Sequence, residues 1–325
     1  MFWKITENKD WQYLVDTFDW IAGMQHTEQN PFYHGEGNVA EHTRLVLTEL
    51  EQSDEFQELD EQNREILWAS ALLHDIGKCI TTRMEDDNIV SPYHARRGEY
   101  ITREMLFKDI FTPFEIREKV AALVRYHGLP VWLFERPDPQ KKLFEASLRI
   151  DMRLLKLLAR IDVKGRICDD KEKLLEQVDF FEMYCREQDC WGKPRKFLNN
   201  HARFRYFNTE NAYPDYVPHD DFKCEVLLLS ALPGMGKDFY IQKQHKDWPV
   251  ISLDDIRRKH KLSPLDGSAT GWVVQQAKEQ ARVYLRQGQN FIWNATNITR
   301  QMRQQLIDLF ITYHAEVKIV YIKAL

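Results

Sequence analysis

Two textures of hydrophobic and polar positions follow one another along the chain. Through residue 190, apolar residues recur at helical spacing and predict helices over 60–78, from about 113 to 127, over 142–163 and over 171–188. The first is apolar from Ile66 to Leu73, with Gly77 placed to cap its end. Thr112-Pro113-Phe114-Glu115 reads as a capping box with proline at the first helical position, and Gly128 reads as the stop of that helix. The 142–163 stretch repeats Leu148, Met152, Leu155, Leu158 and Ile161 on one face. Almost nothing in this part reads as a strand. Trp191 to Lys223 is different: three prolines and many aromatic and polar residues predict an irregular connector that packs on a domain. Short apolar runs then alternate with helical patterns. Strands are expected at 225–231, 249–253, 290–296 and 317–322, with helices after Gly236, over 268–287 (closed by Gly288) and over 299–314. Strand–helix alternation of this kind implies a doubly wound parallel sheet. The fold class expected is multidomain, α then α/β: an all-helical domain over 1–190, the connector over 191–223 and the sheet domain over 224–325.

Composition agrees with long helices. Glycine and proline number 13 and 12 in 325 residues, about two thirds of the usual share of roughly 12%, which excludes collagen-like and Gly/Pro-rich disordered chains. The net charge of −5 hides an asymmetry. Residues 224–325 carry 14 Lys/Arg against 9 Asp/Glu, a net of +5, so residues 1–223 carry −10. An acidic part and a basic part imply different tasks. The five cysteines (Cys79, Cys168, Cys185, Cys190, Cys224) form no CxxC pair and no even-numbered framework, as expected for free thiols of a cytoplasmic protein. The opening MFWKITENKD is too polar for a signal peptide, and no apolar run approaches a membrane span.

In the helical part six residues stand out: His42, His74, Asp75, His94, His127 and Asp162. Imidazole and carboxylate ligands together suit transition metals. Adjacent His74-Asp75 near a helix end can point both side chains into one cavity, and the two oxygens of Asp75 can bridge two ions. Two such ions would suit phosphoester hydrolysis, because they bind phosphate oxygens and lower the pKa of a bound water. Any one of these histidines alone reads as a core or surface residue. Their order and context, AEHTRLVL, LLHDIGK, YHARRGEY, LVRYHG and ARIDVKGR, resemble the HD-domain phosphohydrolases over roughly residues 25–190. The resemblance implies one divalent transition metal (Mn, Co, Ni, Cu or similar) among His42, His74, Asp75 and Asp162, and a second held by His94 and His127 with Asp75 between. It also implies Asp75 as catalytic and Lys78 on the substrate phosphate. His34, in NPFYHGEGNVAEHT, is a candidate contact to the scissile phosphate; His26 and His201 have no such context and read as structural.

In the basic part Ala231-Leu232-Pro233-Gly234-Met235-Gly236-Lys237-Asp238 follows a predicted strand and opens a helix, the context of a Walker A phosphate loop. Pro233, Gly234 and Gly236 let backbone N–H groups approach NTP phosphates, and Lys237 reaches the β and γ oxygens. Two positions depart from GxxxxGK[ST]. Ala231 replaces the first glycine, and Asp238 replaces the hydroxyl residue that touches Mg²⁺, so that Asp238 either takes over the ion or leaves it to another group. Ser252-Leu253-Asp254-Asp255-Ile256-Arg257 ends the second strand and places a carboxylate at the sheet edge, where a kinase base belongs; a helix N-cap aspartate is the plainer reading. Arg300 and Arg303 share one helical face, where they clamp a phosphoryl group or form a solvated basic face.

Together these features resemble the 5′-hydroxyl polynucleotide kinases. The resemblance implies Asp254 as general base, Arg257 on the acceptor's phosphate, Arg300 and Arg303 as lid arginines, and ATP or another NTP with Mg as cofactors. The whole order, QNPFYHGEGNVAEHT, LLHDIGK and then ALPGMGKD, resembles the bacterial bifunctional end-healing enzymes, with an N-terminal HD phosphoesterase and a C-terminal P-loop 5′-OH polynucleotide kinase. That family implies removal of 2′,3′-cyclic or 3′-phosphate from broken RNA or DNA ends, phosphorylation of 5′-OH ends, and a polynucleotide ligase as functional partner. The basic part would grip the strand by counterion release. Phe204, Tyr206 and Phe207 of the connector either stack bases or, more simply, pack in a core. A nucleotide-metabolism enzyme (an HD nucleotidase fused to a small-molecule kinase) is the alternative reading. A nucleotide-gated RNA-binding module with degenerate catalysis is a third, and Asp238 is its best support. A kinase of this fold normally continues past the last predicted strand, so the 224–325 domain is expected to be C-terminally incomplete.

Overall fold

A computed structural model of the chain describes residues 2–263 and 266–323, so the last two positions of the expected 224–325 domain lie outside it. The chain divides into two compact units between Tyr216 and Val217. The first unit is helical and the second carries a four-stranded sheet.

The helical unit buries one large core around Trp68, Phe144 and Phe181, each essentially without solvent exposure. Its central helix, Glu61–Leu73, is buried along most of its length. It ends earlier than its periodicity predicts: the chain leaves the helix at His74 and re-enters a short one at Lys78–Thr81. Gly77 is not a left-handed cap, because its φ is −66°. Glycine is needed there for close approach instead, since a Cβ at Gly77 would lie 2.1 Å from the His94 carbonyl oxygen and 2.6 Å from the Gly98 nitrogen.

Three other expectations are corrected. Thr112 does not form a capping box: its hydroxyl donates to the Ile110 carbonyl at 2.8 Å, and Pro113 itself precedes the helix Phe114–Tyr126. Gly128 has φ −80° and opens the next short helix, so it is not a left-handed stop either. The single helix expected over 142–163 is two, Pro139–Ser147 and Met152–Lys164, because the Asp151 carboxylate accepts from the Arg153 N–H and starts a new helix against the apolar periodicity. The last predicted helix of the unit, Lys171–Glu187, lies where expected.

A small hairpin, β1 (Arg83–Glu85) with β2 (Asn88–Val90), was not legible from hydrophobicity, because both strands are short and β1 is fully exposed. Its turn residues Asp86 and Asp87 both take positive φ, the geometry of a primed hairpin turn. The connector contains a helix, Asn200–Asn208. Its aromatics pack in the core: Tyr206 is buried and stands 5.6 Å from the Phe144 ring and 5.4 Å from that of Phe197, and Phe207 packs on the same cluster. Tyr206 and Phe207 are thus taken up by packing and not presented for base stacking.

The second unit is a parallel sheet of β3 (Cys224–Ser230), β4 (Val250–Ser252), β5 (Phe291–Asn294) and β6 (Ala315–Tyr321) in the order β4-β5-β3-β6. Every pairing is parallel. The chain runs outward from β3 on one side through β4 and back to β5, then crosses to β6 on the other side. The carboxyl end of β3 therefore sits at the reversal of strand order, where α/β sheets bind ligands. The helix Gly267–Arg286 lies within a residue of its expected bounds, and Gly288 just beyond it has φ +64°, as a helix-stopping glycine should. Among the described residues no helix is long and apolar enough to cross a membrane.

Gly77→Ala should lower the stability of the helical unit by about 1–3 kcal/mol, the usual cost of overpacking, and with it the unfolding midpoint. Gly128→Ala, whose Cβ would meet the Trp132 ring edge at an ordinary 3.6 Å, is the control and should leave the midpoint close to that of the parent in thermal denaturation.

Candidate metal centre and phosphate loop

Five helices and one loop bring the six histidine and aspartate candidates together. His42 comes from the helix Val39–Glu51 and Asp162 from the helix Met152–Lys164. His74 and His127 stand at the C-terminal ends of the helices Glu61–Leu73 and Phe114–Tyr126. His94 opens the helix His94–Lys108, entered through Tyr93 in the left-handed region at φ 59°. All but His94 are fully or nearly fully buried.

The candidates form two groups. In the first, His42 Nε2 lies 3.0 Å from Asp162 Oδ1 and 3.2 Å from His74 Nε2. In the second, Asp75 Oδ1 lies 3.6 Å from His94 Nε2 and 3.7 Å from His127 Nε2. Asp75 connects them, because its other oxygen, Oδ2, is 3.3 Å from His74 Nε2 and 3.9 Å from His42 Nε2. Three rings have their tautomer set by backbone. Nδ1 of His74, His94 and His127 lies 2.7, 2.9 and 2.8 Å from the carbonyls of Ala71, Ser91 and Val124. A carbonyl only accepts, so each Nδ1 carries the proton and each Nε2 presents a lone pair to the centre.

These groups fit metal ions on their own chemistry. Imidazole Nε2 atoms face one another, and buried Asp75 Oδ1 has no hydrogen-bond partner. A cation among them would supply the missing partner. Three carboxylates (Glu36, Asp75, Asp162) face two permanent cations. Burial pushes the Asp75 carboxyl up, but Lys78 and His74 hold it well below the usual carboxylate range. Burial likewise opposes ionisation of Asp162, and Arg166 with His42 outweighs it. Both therefore remain ionised, the form that binds metal.

Sequence reasoning missed three residues of this centre. Arg166 donates to both Asp162 oxygens, at 3.2 and 2.6 Å; its i,i+4 spacing from Asp162 was the available signal. Gln29 accepts from Lys78 Nζ at 2.5 Å. Glu36 Oε1 is 2.8 Å from Nδ1 of both His34 and His42, and a glutamate in a glycine-rich loop gives no sequence signal for that. His34 itself is buried, its Nε2 3.4 Å from Lys78 Nζ, and Lys78 Nζ also lies 2.7 Å from Asp75 Oδ2. The two candidate substrate contacts thus converge on the metal-facing carboxylate. His26 and His201 are not among the potential ligand groups.

In the second unit, the loop after β3 has the shape expected of a phosphate cradle. Gly234 and Gly236 have φ +78° and +86°, which a side chain would strain, with open space where a Cβ would point. Ala231 causes no difficulty, because it is buried at the end of the strand and not in the left-handed region. Lys237 folds back over the loop, donating to the carbonyls of Leu232 at 2.9 Å and Ala231 at 3.3 Å. Asp238 accepts from Asn294 Nδ2, at the end of β5, at 2.8 Å. Ser252, and neither aspartate, caps the helix Leu253–Lys259, accepting from the Asp255 N–H at 3.2 Å; the plainer reading of these aspartates is therefore corrected. Asp254 is free of that duty and exposed, and it pairs with Arg257 at 3.0 Å. Arg303 donates to the Asn297 and Ile298 carbonyls at 2.9 and 2.8 Å, while Arg300 is exposed at the start of its helix.

Residues 38–162 match the HD domain family, and residues 226–324 match an AAA domain family. The chain thus pairs a region similar to HD domains with a region similar to AAA domains. Their pairing supports a phosphoesterase–kinase fusion. Over 149 residues, 42% of this chain, the sequence is 26% identical to heterogeneous nuclear ribonucleoprotein U-like protein 2 of Mus musculus, and the match spans 20% of that protein.

Burial shapes how the HD domain responds to acid. Burial, with Lys78 alongside, pushes His34 down to about 3, and burial pushes His127 to about 3 and lowers His94 as well. An unfolded imidazole titrates near 6.5, so the folded chain holds fewer protons than the unfolded chain between about 3 and 6.5. Stability is then lost as pH falls through that window, at most ~1.4 kcal/mol per pH unit for each histidine. His74 acts in the opposite sense: burial lowers it, but Asp75 and Asp162 raise it overall, and one histidine offsets only part of three. The metal-free protein should therefore unfold at lower denaturant concentration at pH 5 than at pH 7.5; equal midpoints would contradict these shifts.

Proposed function

We propose that the protein heals broken nucleic-acid ends: the HD domain removes 2′,3′-cyclic or 3′-phosphate with divalent transition metal, and the AAA domain phosphorylates 5′-OH ends using NTP and Mg. One observation carries the first half. Four imidazole Nε2 atoms and two ionised carboxylates converge, with Asp75 between the groups and one of its buried oxygens unpartnered. Metal bound there supplies charge for phosphate oxygens and an acidified water. The residues of the chain do the rest. His42, His74 and Asp162 would hold one ion, His94 and His127 the other, and Asp75 would reach both. Lys78 Nζ, 2.7 Å from Asp75 Oδ2 and 3.4 Å from His34 Nε2, would bind the phosphoryl oxygens, with His34 as one of its acceptors.

For the kinase, the cradle of Gly234, Gly236 and the N-terminus of the helix Lys237–Gln244 would receive NTP phosphates through backbone N–H groups. Lys237 would exchange its two loop carbonyls for phosphate oxygens. Asp238, held by Asn294, keeps a carboxylate at the position where Mg is usually met. Asp254 would take the proton from the attacking hydroxyl once Arg257 turns to the acceptor's phosphate. Arg300 and Arg303 would close on the transferring group, Arg303 after releasing its loop carbonyls. Two features favour a polynucleotide acceptor over a free nucleoside: the +5 charge of residues 224–325, and the partial likeness to a protein named as a ribonucleoprotein.

Two substitutions separate the activities. Asp75→Ala should lower Mn²⁺-, Co²⁺- or Ni²⁺-dependent release of phosphate from a 3′-phosphate RNA on the order of 100-fold or more, while label transfer to a 5′-OH oligonucleotide is kept. Lys237→Ala should do the reverse. Release by Asp75→Ala at the parent rate would show the metal centre to be misplaced. Preference for free nucleosides over oligonucleotides as phosphate acceptors would favour nucleotide metabolism instead.

A further inference from the structure

The histidines of the metal centre differ in where they find a partner for Nδ1. His74 and His127 close their helices and use the carbonyl three residues earlier, Ala71 or Val124. Carbonyls of a last helical turn have no intrahelical donor, so these acceptors are spare. His94, the first residue of its helix, uses Ser91 of the preceding turn in the same way. His42 has no such acceptor. It is the fourth residue of the helix Val39–Glu51, and the carbonyl three residues earlier, Val39, already accepts the Thr43 hydroxyl at 2.8 Å. Its acceptor must come from outside the helix.

Glu36 occupies that place. Its side chain is 1% exposed. Oε1 lies 2.8 Å from His34 Nδ1 in an aligned hydrogen bond and 2.8 Å from His42 Nδ1 in a bent contact outside ideal hydrogen-bond angles. Oε2 accepts the Ile167 N–H at 2.9 Å, and the neighbouring Gly35 N–H donates to the Ile167 carbonyl at 2.8 Å. The loop that carries Glu36 is thus clasped to the segment just beyond Asp162 and Arg166.

We propose that Glu36 is a positioning residue of the metal centre: one buried carboxylate that fixes the Nδ1–H tautomer of both His42 and His34, aiming Nε2 of the first at the metal group and leaving Nε2 of the second as an acceptor for the Lys78 ammonium. The proposal rests on the phosphoesterase reading above. Glu36 touches neither metal nor substrate and acts through the two rings. A neutral imidazole has one N–H, and two carboxylates compete for that of His42: Glu36 Oε1 at Nδ1, and Asp162 Oδ1, 3.0 Å from Nε2. Both Asp162 oxygens already accept from Arg166, so Glu36, with no permanent cation on it, is the stronger acceptor. Without it the proton of His42 is free to sit on Nε2, facing His74 and Asp162, where it blocks the ligand lone pair. Loss of such a partner typically weakens metal binding 10–100-fold. The effect is confined to one group, since the rings of His94 and His127 are held by backbone.

The test reads the tautomers directly, by long-range ¹H–¹⁵N correlation of the histidine rings in metal-free protein above pH 7.5. Wild type should show Nδ1–H for both His34 and His42. Glu36→Gln, close in shape but with a single acceptor oxygen, should move at least one of the two toward Nε2–H, with the signals of His74, His94 and His127 unchanged. In a His94→Ala background, which leaves the His42, His74 and Asp162 group complete, adding Glu36→Gln should weaken Mn²⁺ or Co²⁺ binding 10–100-fold in a competition titration. An Nε2–H tautomer on His34 or His42 in wild type overturns the proposal without any variant having to fold. Unchanged tautomers and metal affinity in a folded Glu36→Gln overturn it as well, and so does a lower melting temperature with the tautomers intact. If wild type shows the expected tautomers and metal binding yet hydrolyses no phosphoester, the phosphoesterase reading fails and the positioning role stands.

Discussion

The helical unit depends on keeping ionised carboxylates away from water. Asp75, Asp162 and the Glu36 side chain are almost completely buried, and an isolated buried charge would cost several kcal/mol. Each is therefore surrounded by compensating groups, some one helical turn away and some from distant helices: Lys78 on Asp75, Arg166 on Asp162, and imidazoles on all three. The helices are arranged to deliver those groups. His74 and His127 lie at helix ends, where spare carbonyls orient their rings. Gly77 lets the turn after His74 pass within contact of the His94 backbone, which brings His94 against Asp75. Removing any one of these groups leaves a charge uncompensated, so the same arrangement that prepares the centre for metal also limits which substitutions the fold tolerates.

The AAA domain solves a different problem. Three of the cationic groups proposed to meet phosphate there are half-buried, and each of them is engaged by a carboxylate or by backbone. Lys237 rests on the carbonyls of its own loop, Arg303 on those of Asn297 and Ile298, and Arg257 on Asp254. The candidate metal ligands are thus held in place by buried charge, whereas the candidate phosphate contacts would have to change partners to meet phosphate.

Much of this was legible in the sequence. The change from helical periodicity to strand–helix alternation near residue 224 gave both architectures, because burial of one helix face or of whole parallel strands leaves a pattern that survives without coordinates. The six histidine and aspartate candidates stood out through LLHDIGK and its companions. Glycines of the phosphate loop were equally plain, since only left-handed backbone calls for glycine at such spacing. Local rules failed where a longer-range contact overrode them. Asp151 split a helix whose apolar period was continuous, and Thr112 turned its hydroxyl to Ile110.

What the sequence determined by itself was therefore chemistry and class: which residues can hold metal, which loop can hold phosphate, and which kind of layer each half forms. These follow from residue type and spacing along one element. Tertiary structure alone decided the partners. That Asp75 turns one oxygen to each histidine group, and that Glu36 both stands between His34 and His42 and reaches the Ile167 N–H, are facts about segments up to 131 residues apart. No periodicity encodes such pairings. They arise because a buried carboxylate must find donors wherever the packed helices happen to bring them.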